Sequence, residues 1–242
     1  MSKRKLRNFD PLLFQGIAHR GLHDEEAPEN SMAAFKKAVQ ANVAFELDVH
    51  LTLDGKLLVC HDSDMERVTG KNGIIENLTL HDIRTSYKLR DGSDLPTLEE
   101  VMAMCQERVP MVIELKPFKG KTWKAGSAVA KALKGVKDKK RYTIISFDPR
   151  SLLGFGRRRF TRGLLLGKEH FGLKKFAKCF DYLDVEDCLV NHSDTIRLAK
   201  SRYINTWTIN TEEKLQNVLP FVDMITFERL PVSKIQEDIA RK

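Results

Sequence analysis

No apolar run in this 242-residue chain approaches the roughly 18 residues needed to cross a bilayer, which excludes a membrane-spanning helix. The basic start, Met1 to Arg7, imitates the head of an export signal, but the apolar run behind it, Leu12 to Phe14, is too short to complete one. Cysteine is scarce, and Cys60, Cys105, Cys179 and Cys188 show no C-x-x-C spacing. They read as buried reduced thiols, and the compartment as cytoplasmic. Low-complexity segments, heptads and 20 to 50 residue repeats are all missing, so solenoids and coiled coils drop out. Acids are nearly absent from one stretch: Lys116 to Lys178 holds 19 Lys and Arg against Asp138, Asp148 and Glu169. The net charge of +8 is therefore concentrated there, which suggests an anionic partner surface.

What is present is organised around Ala44 to Asp62. Phe45, Leu47, Val49, Leu51 and Leu53 alternate with Glu46, Asp48, His50 and Thr52, the period of a strand with one apolar and one polar face. Asp54-Gly55 predicts a two-residue hairpin turn and a returning strand from Lys56 to His61. That register sets Asp48 directly opposite His61; a three-residue turn would slip it by one and turn His61 away.

Along the chain, Ile17 to His19 is a short buried strand and Asn30 or Ser31 caps a first helix. Ser63 to Leu95 is irregular and reads as an inserted excursion. Thr97 caps a helix, and Pro110 to Lys116 is a strand with Val112, Glu114 and Lys116 on one face. Helices and strands then alternate: Trp123 to Gly135, Tyr142 to Phe147, Pro149 to Phe155, Gly163 to Leu166, Phe171 to Cys179, Tyr182 to Val185, Asp194 to Ser201, Tyr203 to Ile209, Glu212 to Leu219, Met224 to Phe227, and a last helix from Val232. Eight strands alternating with helices are the count of a (β/α)8 TIM-type barrel, so 1–242 reads as a single domain with a small insertion at about 63–95, after strand two.

In such a barrel the carboxyl ends of the strands build the site. His19 ends strand one, Glu46 and Asp48 strand two, and Glu114 with Lys116 strand three. Three neighbouring carboxylates repel unless a cation neutralises them, and an all-oxygen set suits one hard ion, Mg²⁺ or Ca²⁺, better than zinc. His19 and His61 can serve as general acid and base, while Arg20 and Lys116 supply fixed positive charge for phosphate. His50, Glu29 and Trp207 are candidates for supporting contacts, with Glu29 and Asn30 holding the first helix and its loop. His23, His81, His170 and His192 read as surface residues.

The runs H-R-G at 19–21, P-E-N-S at 28–31, F-E-L-D-V-H-L-T-L-D-G at 45–55, H-D at 61–62, L-P-T-L-E-E at 95–100, I-E-L-K at 113–116 and W-T-I-N at 207–210 together resemble the glycerophosphodiester phosphodiesterase family. The resemblance implies a TIM-type barrel with an inserted subdomain after strand two. It also implies metal-dependent hydrolysis of glycerophosphodiesters to sn-glycerol 3-phosphate and an alcohol. Carried over by position, Glu46, Asp48 and Glu114 bind the metal, His19 and His61 are the acid/base pair, and Arg20 and Lys116 hold phosphate. One departure stands at strand eight, Thr226-Phe227-Glu228-Arg229, where the family more often has an acidic or amide residue directly after the threonine.

Two other readings compete. Phe118, Trp123 and the interleaved lysines border the expected mouth, as a lysophospholipase D-type enzyme working on a lipid-bearing phosphodiester at an anionic membrane or polymer would require. A polyanion-binding module would use the same basic stretch, although no specific nucleic-acid motif accompanies it.

Overall fold

The computed structural model describes residues 9–116, 122–155 and 160–242, the side chains at 122 and 123 excepted. Nine strands form one sheet: β1 (Ile17–Ala18), β2 (Ala44–Leu51), β3 (Leu57–Val59), β4 (Met111–Leu115), β5 (Tyr142–Ser146), β6 (Thr161–Leu166), β7 (Tyr182–Glu186), β8 (Tyr203–Ile209) and β9 (Met224–Phe227). All but β3 are parallel to their neighbours, and β1 pairs with both β2 and β9, so eight strands close into a barrel. Around them lie α1 (Met32–Gln40), α2 (Glu66–Thr69), α3 (Leu80–Ser86), α4 (Leu98–Cys105), α5 (Thr122–Ala132), α6 (Ser193–Ala199), α7 (Glu212–Val218) and α8 (Val232–Ala240).

Alternation along the strands sorts the core into two layers. Met111, Ile113 and Leu115 face the helices, whereas Val112 joins Ile17, Ala44, Ile145, Leu165, Tyr182 and Met224 inside the barrel. Several of these begin their strands, and Phe9 and Leu13 pack on them, so the amino-terminal end is plugged and the carboxyl end is left for polar groups. Residues 58–95 have their own apolar cluster, with Met65, Ile75, Ile83 and Tyr87 as members. Among the described residues no helix is long and apolar enough to cross a membrane.

Four local expectations are corrected. The hairpin pairs Val49 with Val59 and Leu51 with Leu57, and the Cys60 N–H donates to the Asp48 carbonyl, so Cys60 and not His61 stands opposite Asp48. The cause is a three-residue turn, Leu53 to Gly55, closed when the Thr52 hydroxyl accepts from the Lys56 N–H and donates to Asp54. Pro149 to Phe155 is a turn ending in a 3-10 segment at Leu153–Phe155, because Asp148 accepts from Arg150 and Ser151 and draws the backbone away from a helix. Lys168–Cys179 is 3-10 throughout; Gly172 within it disfavours an α-helix by about 1 kcal/mol relative to alanine. Cys60 and Cys105 are buried, but Cys179 and Cys188 are exposed. The basic run Arg157 to Arg159 and, of the expected membrane-facing stretch, Phe118 to Lys121 lie outside the described residues, as do the side chains at 122 and 123.

Candidate active site

The register of β2 against β4 pairs Asp48 with Glu114, and Glu46 lies two residues below Asp48 on the same face. All three carboxylates are buried and offer oxygens within 4.8 Å of one another. Arg20 and Lys116 are the cations beside them: Lys116 Nζ stands 2.9 Å from Asp48 and 2.7 Å from Glu114, and Arg20 Nε 3.4 Å from Asp48. Burial, then the charges of Asp48 and Glu114, push Glu46 well above the ordinary carboxylate range. Burial likewise pushes Glu114 up to about 7, whereas Lys116 and Arg20 overcome burial and hold Asp48 well below it. Three acids against two bases leave one carboxylate unbalanced in a dry place, so the set either keeps a proton or takes a cation, and an all-oxygen donor set of that kind fits a hard dication. Glu46, Asp48 and Glu114 would hold it.

The first turn of the mouth is strained into place. Arg20 has φ of 53° and Gly21 of 83°, and a Cβ on Gly21 would lie 2.9 Å from Ala34 of α1. The bend aims the Arg20 N–H at Glu46 at 3.0 Å, while its guanidinium donates to Glu29 at 2.8 Å. Asn30, expected only to hold the loop, donates to Asp48 at 2.8 Å, and Glu29 is clamped by Arg67 of α2 through two bonds of 2.7 and 2.9 Å. Both therefore reach the acidic set or its arginine.

Each candidate imidazole is held at Nδ1 by a carboxylate. His19 Nδ1 lies 2.8 Å from Glu228, and His61 Nδ1 lies 2.6 Å from Asp62, itself bonded to Arg67. The Glu228 carboxyl lies far below its usual range because His19 bonds it at 2.8 Å and His23 approaches it at 3.4 Å, so it is ionised and the His19 Nδ1 must donate. Nε2 is then the free nitrogen of each ring. Burial lowers the pKa of His19 and of His61 below the ordinary imidazole value, against the raising effect of their carboxylates.

His61 reaches the mouth despite the altered register because β3 ends at Val59 and the chain bends. His50 is buried and does not line the cleft; its Nε2 donates to the His61 carbonyl at 3.0 Å, and its Nδ1 pairs with Glu76 at 2.6 Å. A cleft of about 470 Å³ gathers His19, Arg20, Glu46, His61, Glu114 and Lys116 on one side and Ile145, Phe147, Leu165 and Trp207 on the other. Trp207 is set edge-on to Phe147, with its indole N–H donating to the Asp184 carbonyl.

Sequence reasoning missed Glu228, Asp62, Arg67 and Asp184, and took His23 for a surface residue. Asp184 lines the cleft together with Thr226, accepts from Asn205 at 2.7 Å and is raised by burial to about 7. Its signal was an acid in the middle of an apolar strand, Tyr182-Leu183-Asp184-Val185. For Glu228 the signal was the acid two positions beyond Thr226, where the family pattern is broken.

Acidic at its floor and basic at its rim, this is the mouth of a (β/α)8 barrel able to hold a cation and an anion side by side. The chain belongs to the glycerophosphoryl diester phosphodiesterase family, whose model matches residues 19–235. A glycerophosphodiester phosphodiesterase of Caldanaerobacter subterraneus is 39% identical over 108 residues, 41% of this chain and 44% of that protein. The matched stretch thus spans less than half the length of that curated relative. A glycerophosphodiester phosphodiesterase structure from Parabacteroides distasonis superposes with a TM-score of 0.76 at 27% identity, covering 93% of this chain and 96% of that one. A phosphodiesterase from Oleispira antarctica, in complex with the product sn-glycerol-3-phosphate, gives 0.79 at 23% identity over 93% and 96% of the two chains.

Proposed function

We propose that this protein hydrolyses glycerophosphodiesters to sn-glycerol 3-phosphate and an alcohol, using one divalent cation, Mg²⁺ or Ca²⁺, and the His19/His61 pair. The observation that carries this reading is two imidazoles, each held at Nδ1 by a carboxylate, lining one cleft with a basic rim over three buried carboxylates. Product bound to the Oleispira protein supports the substrate class. We read the chain as a single domain, with residues 63–95 as an insertion whose Arg67 braces the mouth.

In this mechanism Arg20 and Lys116 draw the phosphodiester's charge to the rim, and their positive charge is strongest where the transition state spreads negative charge over oxygen. The Nε2 lone pair of one histidine, neutral at the start, takes a proton from the attacking hydroxyl, and the other, which enters as an imidazolium protonated at both nitrogens, gives its Nε2 proton to the leaving alcohol and ends neutral. Glu228 and Asp62 hold both rings in the tautomer this exchange needs, as in carboxylate–histidine pairs generally. The dication, when bound, supplies Lewis-acid polarisation of a phosphoryl oxygen. Incubation of the purified protein with glycerophosphocholine and either ion, followed by assay of glycerol 3-phosphate, tests the reading. Absence of product from every glycerophosphodiester with either ion overturns it.

Glu228→Gln keeps the shape and removes the charge. Because Glu228 raises the His19 pKa and burial lowers it, losing the carboxylate lowers it further, and the limb of kcat/KM that His19 governs, the acid limb if it is the base and the alkaline limb if it is the acid, should move to lower pH. A hydrogen bond to a charged group contributes roughly 1.5–3 kcal/mol, so kcat/KM at neutral pH should fall roughly 10- to 100-fold. An unmoved limb in the pH–rate profile would remove Glu228 from the mechanism.

A second reading, lysophospholipase D-type cleavage, is favoured by the apolar wall of the cleft. Phe147 belongs both to that wall and to a groove of about 780 Å³ lined by Leu173, Phe176 and Arg150, where an acyl chain could lie. Activity indifferent to an added acyl chain and to anionic vesicles counts against it.

A further inference from the structure

A second group of metal-capable donors adjoins the carboxylate set and differs from it in chemistry. His19, His23 and Glu228 each offer an atom within 4.8 Å of the other two, two imidazole nitrogens and one carboxylate oxygen. His19 Nδ1 and His23 Nε2 both point at the same Glu228 oxygen, at 2.8 and 3.4 Å. The His23 nitrogen is buried and has no well-formed hydrogen bond, so the ring is held in place without a partner that uses it fully. Among the described residues, the cation paired with the other Glu228 oxygen is Arg229, at 3.9 Å. Zinc bonds to nitrogen and oxygen at about 2 Å, which sets tetrahedral ligand atoms roughly 3.3 Å apart; the two histidine–carboxylate separations here are 2.8 and 3.4 Å, and all three donor atoms lie within 4.8 Å of one another. Two imidazoles and a carboxylate also suit a borderline ion, whereas Glu46, Asp48 and Glu114 suit a hard one.

We propose that His19, His23 and Glu228 form an inhibitory zinc site, separate from the carboxylate site, through which Zn²⁺ silences His19. Neutral His19 carries its proton on Nδ1, where Glu228 accepts it, and keeps its lone pair on Nε2. Zinc bonding through the Nδ1 lone pair requires that proton to leave, and the neutral ring regains one at Nε2, with no net change in protons. The nitrogen facing the cleft then has no lone pair with which to act as base. Its N–H, on a neutral metal-bound ring, is also far less acidic than that of an imidazolium. The inhibitory half of the proposal rests on the reading of His19 as an acid/base group; the binding half does not.

The test titrates ZnCl₂ into the full-length protein assayed at saturating Mg²⁺ or Ca²⁺, beside isothermal calorimetry of zinc and the visible spectrum of the Co²⁺-loaded protein under the same conditions. Wild type should bind one zinc and lose more than nine-tenths of its activity, and further Mg²⁺ should not restore it. His23→Ala and His23→Gln should keep basal kcat/KM within about twofold, while both zinc binding and inhibition weaken at least about tenfold. Unchanged zinc binding in both variants, or relief of inhibition by excess Mg²⁺, overturns the site. A His23-dependent site that binds zinc without inhibition keeps the site and overturns the role given to His19.

Discussion

Replacing His61 with alanine should lower kcat/KM by roughly 10² to 10⁴-fold, the usual contribution of a positioned proton-transfer group. The variant should fold normally. About a third of the His61 side chain is exposed, and its side-chain bond to Asp62, another part-exposed residue, is with its own chain neighbour. The backbone carbonyl that His50 grips survives the substitution, so the bend after β3 keeps its anchor. The loss should therefore fall on kcat more than on KM, with an unchanged thermal midpoint, and Asp62→Asn should reproduce part of it. If His61→Ala retains more than about a tenth of wild-type kcat/KM with an intact fold, the paired-imidazole mechanism fails.

Why the position of His61 at the cleft was legible in the sequence, and the bond from Glu228 to His19 was not, is a matter of distance along the chain. Glu46, Asp48 and Glu114 were legible because strand periodicity fixes faces, and parallel neighbours fix depth. The eight barrel strands were legible for the same reason. The hairpin register was not: a hydroxyl on Thr52 and a carboxylate on Asp54 decided between a two- and a three-residue turn, and periodicity carries no trace of that choice. His61 reached the cleft anyway, held there by a buried histidine that looked from sequence like a member of the polar face. The bonds that set tautomers and orient Arg20 join residues far apart in sequence, and the 209 positions between His19 and Glu228 include almost the whole barrel. Only closure of the sheet brings β9 beside β1, so the partner of His19 depends on the fold and on no local pattern. The helices expected around Pro149 and Phe171 failed for a different reason, since side chains such as Asp148 satisfied the backbone locally.

Removal of divalent cations should abolish activity, and the way it does so follows from the acidic floor. With burial and mutual repulsion raising Glu46, and Glu114 raised to about 7, part of the carboxylate set is protonated at neutral pH when no ion is bound. A dication favours the charged form of every ligand, so binding must expel those protons. Calorimetry of Mg²⁺ or Ca²⁺ binding at pH 7, in buffers of different ionisation enthalpy, should therefore show net proton release, and affinity should fall as pH drops from 8 to 6. The ion binds the folded chain in preference to the unfolded one, so it should also raise the thermal midpoint in proportion to the logarithm of its concentration. Glu114→Gln removes one ligand and one of the titrating groups together; it should cut kcat/KM by at least about 10²-fold and reduce the protons released. Full activity after exhaustive chelation, or binding that releases no protons at pH 7, would show that Lys116 and Arg20 alone balance the three carboxylates and that the floor of the barrel needs no metal.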